Sequence, residues 1–259
     1  MDEVPLLSRD QSDAENQASR PLYEKAGFFS LLTFSWLNPL LSLGYKRTLE
    51  FHHIPPLSIL DTAQTTLEDL LKSWKNNKAS PSLIKCLALT YYKKALISAF
   101  YAGIYTCFSY VGPFLINSFV NTLSGTTLPP FQGYLLMLVF IFFGAKLIES
   151  IAQRHWYFGA QKMGLQIRAS LTSMVYRKGL VLSRKSQLQH SNGEVMNYVG
   201  VDIQRIADFS IYLQDIWLLP LHILLSLSIL YMNLGSAARA AFLATALSMV
   251  ANLPFSKLQ

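Results

Sequence analysis

Residues 95–145 read ALISAFYAGIYTCFSYVGPFLINSFVNTLSGTTLPPFQGYLLMLVFIFFGA, a stretch without a single charged residue. A helix that crosses a membrane needs about 20 predominantly apolar residues, so this stretch is long enough for two crossings. Gly125 and the pair Pro129–Pro130 divide it, because glycine and proline end helices. The sequence therefore predicts spanning helices at about 95–123 and about 132–155.

The second helix is predicted to continue past its apolar part, because its periodicity persists through Lys146, Glu149, Arg154 and Lys162. Residues 132–163 alone would form a rod of about 48 Å, which exceeds the hydrocarbon core of about 30 Å. A charged amphipathic stretch from Gly193 leads in the same way into a third span at about 209–233. A fourth span is predicted at about 237–255, after a short turn.

Proline residues inside the first and third spans predict kinks. Pro113 follows Gly112 in the first helix, and Pro220 lies in the membrane part of the third. A proline lacks the backbone N–H and clashes with the preceding turn, which membrane bundles tolerate.

Charge predicts the topology. Between Lys146 and Arg205 lie nine Lys or Arg residues against three acidic ones, whereas the loop 124–131 has none of either sign. The positive-inside rule places the basic segment in the cytosol, so four spans return both termini there. The net charge of +7 is thereby explained by topology, which argues against nucleic acid as a partner.

The first 94 residues are predicted to stay outside the membrane core. Residues 1–27 are polar and predict a disordered cytosolic tail, in which Asp2–Leu7 fits an acidic dileucine sorting signal. Residues 28–94 predict interfacial and linker structure, with an amphipathic helix at 65–74 and a short surface helix that begins at Ser80–Pro81. The apolar run 28–45 is interrupted by Asn38–Pro39, which favours a segment that dips into one leaflet over a spanning helix.

Long helical arms that leave the bilayer require a connection at their far end. The candidate is a transverse turn at 165–180, bracketed by Gly164 and Gly179, which would act as a lever between the membrane and a soluble motor. An ordinary amphipathic cytosolic helix is the alternative that periodicity leaves open.

Several ordered motifs carry a resemblance to a known family. They are Gly164-Leu165-Gln166-Ile167-Arg168, Val175-Tyr176-Arg177-Lys178-Gly179-Leu180, Asn192-Gly193-Glu194-Val195-Met196-Asn197 and Val201-Asp202-Ile203-Gln204-Arg205-Ile206-Ala207-Asp208, with Ala26–Leu37 and Pro39-Leu40 upstream. Over residues 20–259 the chain resembles the front part of the first transmembrane domain of subfamily C (multidrug-resistance-associated) ABC transporters, plant members especially.

The resemblance implies an all-α fold: a partial type 1 ABC exporter transmembrane domain at 95–259, with four spanning helices, long cytosolic extensions and a coupling helix. It also implies a lasso and elbow region within 28–94 and a coupling segment at 164–182. The residues expected to meet a nucleotide-binding domain are Ile167, Arg168, Leu171, Tyr176, Arg177 and Lys178.

The chain contains no G-x-x-x-x-G-K-[ST] phosphate loop and no Gly-Lys pair. ATP and Mg²⁺ are therefore expected on nucleotide-binding domains supplied elsewhere, together with the remaining transmembrane helices, and this chain is expected to be inactive alone. The alternative is a truncated, non-transporting membrane protein that is degraded or that interferes with assembly of a full transporter.

For substrates, the resemblance implies organic anions or glutathione conjugates. The expected cavity residues are Arg205, Tyr212, Lys146 and Trp217, since cationic and aromatic groups suit an anionic amphipathic ligand. Two simpler interpretations stay open: Arg205 pairs with Asp202 or Asp208, and Lys146 pairs with Glu149. The first helix has no basic residue, unlike that of some anion-selective relatives. The resemblance and the dileucine signal favour the vacuolar membrane over the plasma membrane, and the isolated His155 and His222 predict no metal site.

Overall fold

The structure, a computed structural model, describes residues 22–24, 26–76, 82–124, 132–183 and 191–235, with the pairs 239–240, 243–244 and 247–248. Its α-helices are α1 (Phe28–Thr33), α2 (Asn38–Lys46), α3 (Ala63–Asn76), α4 (Leu83–Ser109), α5 (Val111–Leu123), α6 (Gln132–Val181), α7 (Asn192–Asn197), α8 (Ile203–Tyr212) and α9 (Asp215–Leu234). Short 3₁₀ turns lie at Leu22–Glu24, Ser35–Leu37, Phe51–His53 and Ile59–Asp61, and a π turn lies at Tyr198–Asp202. Within these ranges no strand occurs, as an all-α fold requires.

Three helical stretches are long and apolar enough to cross a membrane: Leu83–Leu123, Gly133–Val181 and Gly193–Asn233. Large apolar side chains such as Phe140, Phe143 and Leu224 stay exposed on them, which suits a lipid-facing surface. Most of the predicted fourth span at 237–255, and most of the predicted tail at 1–27, lies outside the described residues.

The first spanning helix begins earlier than predicted. Helix α4 runs without a break from Leu83 to Ser109, so the separate surface helix expected after Ser80–Pro81 is wrong. The sequence between residues 82 and 109 contains no proline that would end a helix. The interruption comes instead at Tyr110, just before Gly112–Pro113, which agrees with the kink predicted there.

Helix α6 is a single rod of 50 residues, about 75 Å long at 1.5 Å per residue. The prediction that the second span continues far past Ala145 is confirmed. The predicted transverse turn at 165–180 is wrong, because the helix passes through Gly164 and Gly179 and ends at Val181. Part of the connection that follows, 184–190, lies outside the described residues.

Gly164 has a packing role rather than a turn role. A Cβ atom added there would lie 2.8 Å from the backbone oxygen of Ala207 on α8, a distance that real Cβ contacts do not reach. The glycine therefore lets the backbones of α6 and α8 approach each other closely, as small residues do between membrane helices. Gly179 has nothing within 4 Å of such a Cβ.

The third spanning stretch is less regular than predicted. A single helix from Gly193 into the membrane was expected, but the π turn at Tyr198–Asp202 and a break at Leu213–Gln214 divide it into α7, α8 and α9. The Ser191 hydroxyl caps its start by accepting a hydrogen bond from the backbone N–H of Glu194 at 3.1 Å. Pro220 lies inside α9, as predicted.

The N-terminal segment 28–46 is broken and is not among the helices long enough to span. Phe34 has a left-handed backbone (φ 58°), which ends α1 and turns the chain into the 3₁₀ turn. Pro39 stands in the first turn of α2, where a missing N–H costs no hydrogen bond. The interruption was therefore correctly predicted, but its sharpest point is Phe34 rather than Asn38–Pro39. The amphipathic helix predicted at 65–74 is present as α3.

The described residues form two compact units. Unit 1 combines residues up to Ala95 with Gly159–Ile211, and unit 2 combines Leu96–Phe158 with residues from Tyr212 onward. The core of unit 1 includes Leu70, Cys86, Tyr91, Met163, Ile167, Leu171, Ile203 and Ala207. Unit 2 buries mainly small side chains, Ala102, Ala145 and Ala152, together with Leu138 and Leu218.

The contact at Gly164 predicts a large effect from one methyl group. We expect Gly164→Ala to lower the free energy of unfolding by about 1–3 kcal/mol, the usual cost of overpacking, because the added Cβ meets the rigid backbone of Ala207. Gly179→Ala on the same helix is the control and should be neutral or stabilising by up to about 1 kcal/mol. Thermal unfolding in detergent, followed by circular dichroism, measures both. Equal behaviour of the two variants would contradict the close approach.

Candidate functional site

Asp61 is the centre of a polar cluster in unit 1. Its Oδ2 atom accepts a hydrogen bond from the Tyr23 hydroxyl at 2.6 Å and forms an ion pair with Lys162 Nζ at 2.8 Å. Its Oδ1 atom accepts a hydrogen bond from the Gln166 side-chain amide. The N-terminal segment, the linker and one face of α6 are thereby tied to a single carboxylate.

The cluster continues from α6 to α4. Lys94 donates to the side-chain oxygen of Gln166, and the Tyr91 hydroxyl donates to the Ser170 hydroxyl at 3.3 Å. Gln166 and Ser170 are four residues apart and so lie on one face of the helix. Both are buried, with 3% and 0% exposure, so their polar groups are satisfied inside the unit.

The charges of the cluster shift the acidity of its members. Burial raises the pKa of Asp61, but hydrogen bonds from Lys162 and Tyr23 and the charge of Lys162 outweigh it and hold the pKa below its usual value. Burial, and the hydrogen bond to Asp61, raise the pKa of Tyr23. The carboxylate is therefore ionised and the phenol neutral at physiological pH, which is the state that the hydrogen bonds require.

Unit 2 contains a second polar cluster, around His222 of α9. The Tyr110 hydroxyl lies 3.0 Å from His222 Nδ1, 2.9 Å from the His222 carbonyl oxygen and 2.9 Å from the Ser226 hydroxyl. Thr106, which is fully buried, lies 3.4 Å from His222 Nε2. Tyr110, which lies at the interruption between α4 and α5, is thus hydrogen-bonded to α9; we call this contact the Tyr110 clasp.

Aromatic stacking joins α4 to α6 in the same unit. The rings of Tyr101 and His155 are stacked with centroids 5.1 Å apart, and those of Tyr105 and Trp156 with centroids 5.9 Å apart. The Trp156 indole N–H is buried without a hydrogen-bond partner among the described residues. Periodicity did not reveal these contacts. Only the presence of His, Tyr and Trp within apolar helices hinted at them.

The four predicted substrate residues are not joined to one another by any hydrogen bond or ion pair among the described residues. Arg205 is exposed, and within the described chain it forms no ion pair with Asp202 or Asp208. Tyr212 is 61% exposed, and the Trp217 indole N–H donates to Gln214 at 2.8 Å. Lys146 forms an ion pair with Glu149 at 2.6 Å, which confirms the simpler interpretation for that residue.

The six predicted coupling residues divide by burial. Ile167 and Leu171 are 7% and 4% exposed and belong to the core of unit 1, so their predicted contact with a partner domain conflicts with their packing. The other four, Arg168, Tyr176, Arg177 and Lys178, are exposed on α6. In the described residues no group of three His, Cys, Asp or Glu side chains could hold a metal ion.

The Asp61 cluster predicts a pH-dependent stability. Asp61→Asn should lower the free energy of unfolding by about 1–2 kcal/mol, because it leaves the half-buried Lys162 without its charge partner. The folded-state pKa of Asp61 lies below its unfolded value of 3.8, so this stabilisation is present above that pH and disappears as the pH falls through the folded pKa. Thermal unfolding is measured at a series of pH values from 7 downward. The difference in free energy of unfolding between the parent and the variant should shrink as the solution becomes acidic.

The control is Asp69→Asn. Asp69 pairs with Lys72 on the surface of α3, where the two side chains are 62% and 70% exposed. Its loss should cost no more than about 0.5 kcal/mol. If the difference in free energy of unfolding between the parent and Asp61→Asn stayed constant down to about pH 2, the assigned ion pair would be contradicted.

The Tyr110 clasp can be tested by removing one hydroxyl. Tyr110→Phe should destabilise the chain by about 0.6–1.7 kcal/mol, the range for hydrogen bonds between membrane helices. Tyr105→Phe is the matched control, because the Tyr105 ring stacks on Trp156 and its hydroxyl has no hydrogen bond within the described residues. Unfolding in detergent measures the stability of both variants. An equal loss of stability in the two would refute the Tyr110 clasp.

Comparison with known proteins places the fold in a family. The family model described as "ABC transporter transmembrane region" matches residues 95–253. The chain is 46% identical over 92% of its length to ABC transporter C family member 5 of Arabidopsis thaliana and 42% identical over 98% to ABC transporter C family MRP4 of Zea mays. It is 43% identical over 92% to ABC transporter C family member 13 of Oryza sativa subsp. japonica.

The chain spans only 16–17% of the length of these relatives, so the likeness concerns one segment of each. The matched segment contains the described apolar helices, with their exposed apolar side chains and the uninterrupted rod α6. This protein is an integral, multi-pass membrane chain that belongs to the ABC transporter C family, in which it corresponds to part of the transmembrane region.

Proposed function

We propose that the chain forms a membrane-spanning part of an ATP-driven exporter of organic anions or conjugates, with glutathione conjugates as the representative substrates. The observation that carries the substrate class is Arg205, an exposed cation that no carboxylate of the described chain neutralises. A guanidinium group has five donors in a planar fork and binds a carboxylate in a bidentate manner. Such a group, which has no ion-pair partner in the described chain, suits an anionic ligand.

The neighbourhood of Arg205 along α8 supports the same substrate class. Tyr212 follows seven residues later, which is two turns of helix, and its ring is exposed. A cation and an aromatic ring on one helix face offer both charge and apolar area to an amphipathic anion.

The length of α6 supports a coupling role. Its 50 residues span about 75 Å, whereas the bilayer with its headgroups is about 40–45 Å thick. About 30 Å of helix therefore extends outside the membrane, and its last turns carry the exposed Tyr176, Arg177 and Lys178. We assign these side chains to a contact with a nucleotide-binding domain, which would hold ATP and Mg²⁺.

The proposed compartment is the vacuolar membrane. It rests on the acidic dileucine pattern at Asp2–Leu7 and on the resemblance to plant members of the family. The basic segment 146–205 would then face the cytosol, where ATP is available.

A chimera tests the proposal. The matching residues of this chain replace the corresponding 242-residue stretch of the Arabidopsis relative, and ATP-dependent uptake of a labelled glutathione conjugate is measured in vacuolar and plasma-membrane vesicles. We expect uptake mainly in vacuolar vesicles, and a KM raised about tenfold by Arg205→Ala, since a charge-assisted hydrogen bond contributes about 1.5–3 kcal/mol.

Arg47→Ala is the control, because Arg47 is also an exposed arginine but lies outside the spanning helices. Its KM should equal that of the parent chimera. A parent chimera that reaches the membrane but takes up no anionic conjugate would refute the substrate class. Uptake confined to plasma-membrane vesicles would refute the compartment.

A further inference from the structure

The groove between α6 and α8 in unit 1 is lined by matching faces of two helices. Each helix contributes residues at spacings of three, four and seven, which form a single face. The lining residues are Gln161, Gly164, Leu165 and Arg168 from α6, and Gln204, Ala207, Asp208 and Ile211 from α8. The groove encloses about 240 Å³, less than the roughly 300–1,000 Å³ of a site for a whole drug-sized ligand. It therefore fits one end of such a molecule.

The floor of the groove is fixed by the close approach of the two backbones. Gly164 faces the carbonyl of Ala207, and the absence of a Cβ allows this approach, because a Cβ would lie only 2.8 Å from the Ala207 oxygen. Ser210 packs on the same glycine; its side chain is 3% exposed, and its hydroxyl has no partner among the described residues. A floor built from backbone gives the groove a defined width.

The walls of the groove carry opposite charges that are not paired. Arg168 and Asp208 are both exposed and both line the groove, yet within the described chain no ion pair of 4.0 Å or less joins them to each other or to another residue. Asp208 accepts one hydrogen bond, from the Gln204 side-chain amide at 2.7 Å. The guanidinium and most of the carboxylate lone pairs stay available to a ligand.

From this arrangement we infer that the groove binds an α-amino carboxylate, with the ligand ammonium on Asp208 and the ligand carboxylate on Arg168. A ligand with only one charge leaves the opposite wall uncompensated, whereas a zwitterion of amino-acid size satisfies both. The side-chain amides of Gln161 and Gln204 flank the two charges and offer further hydrogen bonds. Arg168, a predicted coupling residue, would then bind the ligand instead.

The location of the groove suits the capture of a ligand from water. Gln161 lies 16 residues beyond Ala145, where the uncharged part of α6 ends, which is about 24 Å along the helix. The inference rests on the proposed function in one respect: the zwitterion would be the amino-acid end of an exported conjugate.

Equilibrium binding tests the groove separately from transport. The full chain is placed in phosphatidylcholine nanodiscs without ATP, and two labelled probes are compared: an S-alkyl glutathione conjugate with a free α-amino group, and the same conjugate with that group acetylated. We expect the free-amino probe to bind more tightly. Arg168→Gln and Asp208→Asn should each weaken its binding about fivefold, the upper range for a solvent-exposed ion pair.

One variant discriminates between recognition and a general structural effect. Asp208→Asn should leave the affinity for the acetylated probe unchanged, because that probe has no ammonium group for the carboxylate to bind. Arg47→Gln and Asp202→Asn are the matched controls, since they remove the same charges outside the groove lining, and they should leave both affinities unchanged. Circular dichroism verifies that the variants are folded.

Three outcomes would overturn the inference: equal affinity for the two probes, an Asp208→Asn variant that weakens both probes alike, or no binding of the free-amino probe. The first two outcomes concern the groove alone, whereas no binding of the free-amino probe would also count against glutathione conjugates as substrates. Failure of ATP-dependent uptake by the chimera concerns the proposed function, so the two failures are distinguishable.

Discussion

A helix in lipid has to satisfy every backbone hydrogen bond within itself, and α6 maintains that ladder without interruption over 50 residues. The same rod is apolar at its start and polar beyond Ala145, so one element serves both the hydrocarbon and water. Its outer part supplies Lys162, Gln166 and Ser170 to the Asp61 cluster and one wall of the groove. The Asp61 cluster and the groove in unit 1 both depend on the continuation of this helix beyond Ala145.

Polar contacts fix the arrangement of helices where apolar packing alone would not. Large apolar residues such as Phe140 and Phe143 stay exposed on the spanning helices, and lipid offers no hydrophobic gain from moving them into a helix interface. The hydrogen bonds between Tyr110 and His222 are directional, so they form only when α9 is rotated about its own axis to bring His222 towards Tyr110. In unit 1 the Asp61–Lys162 ion pair has the same effect on the linker, and its half-buried position makes it stronger than a surface pair.

Charges without internal partners carry the functional argument. Arg205, Arg168 and Asp208 are exposed, so water can solvate their charges without the ion pairs that lysine residues form with carboxylates elsewhere in the described chain. The structure pairs Lys146, Lys72 and Lys162 in this way and leaves these three side chains without an ion pair in the described chain. Under the proposed function, these exposed groups would contact a solute.

The sequence alone was sufficient for the first three of the four predicted spans, the over-long second helix, the interruption of the segment 28–46 and the family, because hydropathy, prolines and ordered motifs are local properties. It also suggested a turn at Gly164, because a glycine in a helical pattern does not show whether it ends the helix or admits a neighbour. Only the tertiary structure decided that question, since the neighbour is Ala207 on another helix. It likewise revealed that Gln166 binds Asp61, 105 residues away, and that Tyr110 binds His222, 112 residues away. Such pairs follow from how the chain folds back on itself, and no periodicity along the sequence encodes the distance between two side chains brought together in that way.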